Sequence, residues 1–414
     1  MQSTPSADTA AVVSARAMLE ARTTASLVGV PGRLRRVGIV AENYFPTLGG
    51  IQEHIRHLRN FLVDRGIDVT IITGTPQVKG HAPVPADADR NVVRVGPAMQ
   101  YGIGGSFTQA TFGPNVARRF ARLLREKQFD VLNIHGPCDP GLPTLARLLY
   151  RGPQVQTLHS CFPHAKWRTI VAPYYRWVLR KSAGVIAVSE ATRDAMGRYA
   201  RFDAQLVPNG VDCDYWAKGR KSDAFGAWSG RTLVYLGRLE ARNGFDLLLD
   251  AFVRLAEKRP DVRLLVAGDG PERTRYESEV PPALREKVKF LGALYDERPD
   301  LFASADMMVL PARAVGFSIL VLEAFAAGLP VVALPCIGVG RAGDHWKNVM
   351  LAREPNAASL AAAVDEALDA DPTAREARVQ AGRAIATSYD WTRIGPQILD
   401  VLENAVRVGA RAHA

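Results

Sequence analysis

Cysteine is scarce in this sequence. Four residues, Cys138, Cys161, Cys213 and Cys336, are scattered through 414, none at Cys-x-x-Cys spacing. That excludes a disulfide frame or a zinc ribbon and predicts reduced thiols in the cytoplasm. No unbroken apolar run is long enough for a membrane span. The longest, residues 318–340, contains Glu323, Pro330 and Pro335 and divides into a helix and a strand. The first 36 residues lack the apolar core of a secretion signal, because Arg16, Glu20 and Arg22 interrupt it. No Asp-x-Asp closes a predicted strand and no His/Cys cluster appears, so no metal is expected. No nucleic-acid-binding motif is present either, and nucleic acid is not an expected partner. The net charge of +10 is spread rather than gathered in one run, which favours small anionic partners such as nucleotides and phosphates.

What is present is core-forming material: 47% of residues are hydrophobic, ample for the two or three domains that this length suggests. The stretch Val309 to Pro335 reads as strand, loop, helix, turn and strand. Pro311 to Gly316 supplies loop residues, Phe317 to Ala327 a helix rich in small residues, and Gly328 its C-cap. A loop feeding a helix N-terminus beyond a parallel strand is where α/β folds hold anions. Glu323 is the only charge between Arg313 and Arg341. An acid inside so apolar a helix is either paired in the core or reaches into a site.

The rest of the chain keeps the same rhythm. VGIVA at 37–41 is a buried strand, and a loop ending in Gly49-Gly50 opens a helix from Ile51 to Arg65. Glycines there let backbone amides approach an anion with no Cβ in the way. Strands follow at 69–74, 131–135 and 155–159, the last two ending in His135 and His159. Ser189 is a plausible N-cap. Residues 167–181 mix aromatic and basic side chains and suit either a lipid-facing helix or one with a buried aromatic face. Lys218 to Gly230 is polar and reads as a linker. Strand, loop and helix recur over 231–252, and the strand at 262–267 enters a turn with Gly268 and Gly270. Helices are expected at 358–368 and 388–406.

Several of these segments resemble family 4 of the retaining GT-B glycosyltransferases, closest to the phosphatidylinositol mannosyltransferase branch. GFSILVLEAFAAGLPVVA is similar to the family's signature helix, FDVLNIHGPCDPGLPTLA to its first-domain strand and loop, and LVPNGVDCDYW to the segment that ends its first domain. The resemblance covers about residues 37 to 406. It implies two Rossmann-like domains with parallel sheets facing across a cleft, and a C-terminal helix crossing back to the first. The expected divisions are a tail at 1–36, an acceptor domain at 37–217, a linker at 218–230, a nucleotide-sugar domain at 231–384, and the returning helix at 385–414.

The resemblance also implies roles for single residues. Arg238 matches the arginine that clamps the donor diphosphate, and His159 the histidine that contacts the transferred sugar. These two are the expected catalytic residues. Gly49, Gly50, Gly268, Gly270, Val315, Gly316, Phe317, Ser318 and Glu323 fall on donor-binding positions, with Glu323 on the ribose. Two positions depart from the pattern. Asn243 stands where a phosphate-binding lysine is usual, and Val315 where the first acid of a Glu-x7-Glu pair is usual. Valine cannot accept a hydrogen bond from a sugar hydroxyl. The implied activity is retaining transfer from a nucleotide diphosphate sugar, GDP favoured and the sugar an unusual one, to a small-molecule or lipid-linked acceptor. No metal or other cofactor is implied. Contact with an anionic membrane at its inner face is compatible with that branch. The alternative is a catalytically degenerate relative that binds a nucleotide or a partner protein.

Overall fold

Apolar runs such as Met307–Leu310 leave no polar face for water. Such strands need cover on both sides, which parallel sheets flanked by helices supply. The computed structural model describes residues 34–76, 83–103, 106–161 and 169–413, and shows two sheets of this kind.

The first sheet contains β1 (Arg36–Val40), β2 (Asp68–Pro76), β3 (Val92–Ile103), β4 (Ser106–Ala110), β5 (Val131–His135), β6 (Gln154–Leu158), β7 (Gly184–Ala187) and β8 (Gln205–Leu206). Its order is β4-β3-β2-β1-β5-β6-β7-β8, and only the β3–β4 pair is antiparallel. The second contains β9 (Arg231–Leu236), β10 (Val262–Ala267), β11 (Val288–Gly292), β12 (Met307–Leu310), β13 (Val331–Ala333) and β14 (Met350–Leu351). It is all parallel, in the order β11-β10-β9-β12-β13-β14. Both orders reverse direction at a central pair, β1/β5 and β9/β12. In such sheets ligands sit beyond the strand ends at that reversal. His135 ends β5, and the loops carrying Gly49-Gly50, Arg238 and Val315 leave β1, β9 and β12.

The Trp391–His413 helix packs on the first sheet. Its Trp391, Ile394, Ile398, Val401 and Leu402 share a core with Val37, Ile39 and Leu58. Before it, the Pro372–Ser388 helix runs through the expected division at 384/385, so the return begins at Tyr389–Asp390. The sequence analysis passes over this helix because it buries only Gly382 and Ala386. Proline at its first turn and Asp371, which accepts hydrogen bonds from Thr373 N and Ala374 N, start it. The β3–β4 hairpin is likewise absent from the sequence analysis.

The expected helix at 51–65 is Gly50–Val63. Its basic residues are not a solvated or membrane-facing stripe. Arg59 is fully buried and bonds to Asp87 and to the Asp87 and Arg90 carbonyls; Arg56 also holds Asp87, at 2.6 Å. The aromatic-basic segment at 167–181 is helical over Ala172–Arg180, burying Tyr175, Val178 and Leu179; its start lies outside the described residues. Gly328 has φ 79 and closes the Ile319–Ala326 helix as expected, and Ser189 caps the Glu190–Gly197 helix through Thr192 N.

Candidate active site

The loop after β9 turns back through Gly244, whose φ is 72 and whose Cβ would stand 2.0 Å from the Pro311 carbonyl, so only glycine fits. Within this loop Arg238 meets Glu240 at 2.6 Å. Glu240 is 1% exposed and Arg238 34%, so a buried carboxylate aims a cation that stays accessible. Asn243 does not replace the usual lysine as a charge. Its side-chain amide donates to the Arg238 carbonyl at 2.8 Å, beside the Tyr235 hydroxyl at 3.0 Å. Asn243 thus braces the backbone that carries Arg238. Arg313, bidentate on Asp246 and bonded to the Ala241 carbonyl, ties this loop to the one after β12.

Gly268 and Gly270 pack against the same loop. A Cβ on them would lie 1.9 Å from Gly237 O and 2.5 Å from Leu239 O. This close approach of backbones requires glycine at both positions and packs the turn against the Arg238 loop.

The loop after β12 is pinned from several sides. Val315 is buried, and its amide donates to Ile337 O at 2.8 Å. The Phe317 carbonyl accepts from Trp346 Nε1 at 3.2 Å and lies 2.7 Å from His345 Nε2. Burial pushes His345 down to about 4, so the ring is neutral and its Nε2 donates. The Gly316 carbonyl accepts from the Ser189 hydroxyl of the first domain at 2.6 Å. Ser318 adopts φ 70 at the N-cap without a side-chain cap bond, leaving the first-turn amides of the Ile319–Ala326 helix without a side-chain acceptor.

Glu323, one turn into that helix, is buried, and burial raises its pKa to about 7. Arg298 opposes the rise and Glu53 adds to it. Arg298 is salt-bridged to Glu53 at 2.9 Å, and the Tyr295 hydroxyl donates to the other Glu53 oxygen at 2.9 Å. This buried network joins the two domains. Nothing local in the sequence marks Glu53, Arg298 or Tyr295 as functional residues.

From the first domain, His54, His135 and His159 converge. His135 Nδ1 and His159 Nε2 are 2.8 Å apart, and the His54 ring stands edge-on to His159 at 5.0 Å. Burial holds all three neutral, His159 down at about 3. They form the one group of metal-competent side chains among the described residues, with nitrogens within 4.8 Å. The His135–His159 hydrogen bond already occupies one nitrogen of each ring. That bond, with the His54 ring packed edge-on, fixes the orientation of His159 and leaves its Nδ1 outside the pair.

The two sets of loops touch. A Cβ on Gly316 would lie 2.9 Å from His159 O and 3.2 Å from Cys161 N, and one on Gly50 3.6 Å from Ile319 Cδ1. Of the expected residues, Gly50, His159 and Gly316 therefore meet at one interdomain seam; Gly49, Val315, Phe317 and Ser318 are their chain neighbours, and Glu323 lies close enough to feel Arg298 and Glu53. Arg238, Asn243, Gly268 and Gly270 form the neighbouring loop pair of the second domain.

The family pattern described as Glycosyltransferase Family 4 matches residues 48–215, and that for glycosyl transferases group 1 matches residues 230–370. A phosphatidyl-myo-inositol mannosyltransferase of Mycobacterium tuberculosis is 32% identical over 384 residues, 91% of this chain and 98% of the relative. The chain belongs to the family 4 glycosyltransferases. An enzyme of the same name from Propionibacterium freudenreichii is 30% identical over 372 residues, 88% of this chain and 93% of the relative. Among solved structures, sucrose-phosphate synthase from Thermosynechococcus elongatus superimposes on this glycosyltransferase with a TM-score of 0.69 at 18% identity, covering 90% of this chain and all of that one. Anabaena HepE in complex with UDP and glucose gives 0.62 at 18%, covering 89% and 99%. The fold is GT-B.

Proposed function

We propose that this glycosyltransferase moves a hexose from a GDP-sugar, with retention of configuration, to a hydroxyl of a small-molecule or lipid-linked acceptor. The observation that carries the reading is the seam itself: loops from both sheet reversals meet there, with the buried Glu323 carboxyl on the helix that follows one of them and the half-buried Arg238 guanidinium on the neighbouring loop. In transfer, negative charge grows on the leaving diphosphate. A preorganised cation such as Arg238 and the amides at the start of the Ile319–Ala326 helix meet that charge, and one such donor is worth ~3–4 kcal/mol of barrier. Ionised Glu323 accepts from the ribose diol. Neutral His159 hydrogen-bonds the transferred sugar and cannot add a positive charge. Val315 offers no acceptor, so the sugar is one whose group at that position needs none. The name of the relatives, phosphatidyl-myo-inositol mannosyltransferase, supports the hexose and lipid-acceptor assignments.

Working against the inner membrane face fits the Pro114–Lys127 helix, which buries Val116, Phe120 and Leu123 and exposes Arg118, Arg119, Arg122 and Arg125 beside Phe112, 54% exposed. Among the described residues no helix is long and apolar enough to cross a membrane. The test is nucleotide release from a panel of GDP- and UDP-hexoses, with the anomeric coupling of the product read by NMR. Release from GDP-sugars with an unchanged anomer supports the reading. Release from UDP-sugars alone, or an inverted anomer, overturns that part of it.

A further inference from the structure

Away from the seam, the first domain carries a cavity of ≈ 870 Å³ walled by Arg176, Arg180, Arg193, Arg198 and Arg201. A volume of this size is that of a small-molecule site. Arg176 and Arg180 stand one turn apart on the outer face of the Ala172–Arg180 helix, where like charges repel. Arg193 lies on the Glu190–Gly197 helix, and Arg198 and Arg201 on the chain just after it.

Five guanidinium groups face two carboxylates, Asp194 and Asp203. Asp194 is already engaged by Arg341 at 2.9 Å and by Arg193 at 3.5 Å. Glu190, the next acid, is engaged by Arg341 at 3.1 Å. Arg180, Arg198 and Arg201 have no ion pair among the described residues. One wall is preset, because Arg176 Nε donates to the Tyr199 carbonyl at 3.2 Å. A surplus of forked, always-charged donors around a concave surface matches the oxygens of a phosphate group.

We propose that this cavity is a second anion site, distinct from the donor seam, that binds a multiply charged phosphate group. That group is carried either by a small free molecule or by a lipid headgroup. The site does not depend on the glycosyl-transfer reading and is tested by binding alone.

The probes are inorganic pyrophosphate, followed by calorimetry, and phosphatidylcholine vesicles with and without phosphatidic acid, followed by sedimentation. The test variant carries Arg198→Ala and Arg201→Ala, both exposed and safe for the fold. The control carries Arg285→Ala and Arg353→Ala, an equal loss of exposed charge on the second domain. Arg238→Ala reports separately on pyrophosphate in the donor site. The expected result is that the test variant binds pyrophosphate or phosphatidic acid vesicles about tenfold more weakly while the control does not. Loss confined to pyrophosphate identifies a free phosphate ligand, and loss confined to vesicles a headgroup. Unchanged binding of both probes, or equal weakening in the control, overturns the proposal. Loss only in Arg238→Ala assigns all phosphate binding to the donor site and overturns it too.

Discussion

Glu323 gives the site a pH dependence whose sign and size can be worked out. Its pKa is raised to about 7 by burial, against the attraction of Arg298. A carboxylate that accepts from two ribose hydroxyls must be ionised, so the donor selects the deprotonated form. At about pH 6 roughly a tenth of the molecules hold that form, and at about pH 8 roughly nine tenths. Donor affinity should therefore rise about tenfold across that interval, with a proton released on binding near neutrality. The ligand should be an intact nucleotide sugar, because the terminal phosphate of a free nucleoside diphosphate ionises near pH 6 itself. Calorimetry in buffers of different ionisation enthalpy reads both the affinity and the proton. Glu323→Gln should remove the slope and weaken binding at about pH 8 by roughly 1.5–3 kcal/mol, the value of hydrogen bonds to a charged group. A flat or falling affinity in the wild type would refute the reasoning. So would a slope that survives in Glu323→Gln, which would assign the titration to another group, such as Glu42, also raised to about 7.

Three other expectations follow from the same geometry. Gly50→Ala meets only ordinary contact with Ile319 Cδ1 at 3.6 Å, so it should leave the melting temperature unchanged while weakening donor or acceptor binding; a drop in melting temperature without loss of binding would give this glycine a structural role. Arg298→Leu leaves the buried Glu53 carboxylate with only Arg56, 3.9 Å away, and should cost about 3 kcal/mol in denaturant unfolding, whereas a loss under about 1 kcal/mol would mean the interdomain bridge is solvated. Glu42 accepts from Leu142 N in the core, and its raised pKa means that its stabilisation is complete below about pH 4.5 and lost as pH rises through about 7. Glu42→Gln should flatten that loss, at most about 3 kcal/mol, in melting curves taken across this range, and an unchanged profile would contradict it.

Local chemistry made much of the architecture readable. Buried β-branched runs, the glycines before the Gly50–Val63 helix, Ser189 as a cap and Gly328 as a stop all act within a few residues, and each stands where the sequence placed it. What was not legible depends on distant partners. Glu53 and Arg298 are 245 residues apart, and neither carries a local mark of the bridge between them. Arg59 looks like one more surface base until Asp87 is seen beneath it. Asn243 looks like the loss of a lysine, and only the folded loop shows its amide supporting the Arg238 carbonyl. Gly268 and Gly270 were expected on donor-binding positions, and only the folded chain shows the backbone of the Arg238 loop packed against them.

The most direct test is calorimetric binding of GDP, UDP, ADP and dTDP, bare and with attached sugars, to the full chain, with Arg238→Ala and Glu323→Ala as controls. Binding of one nucleotide class, strengthened or preserved by its sugar and lost in both variants, is the predicted result. Failure of every nucleotide to bind, or binding that survives in both variants, would contradict the account of the seam as a donor site.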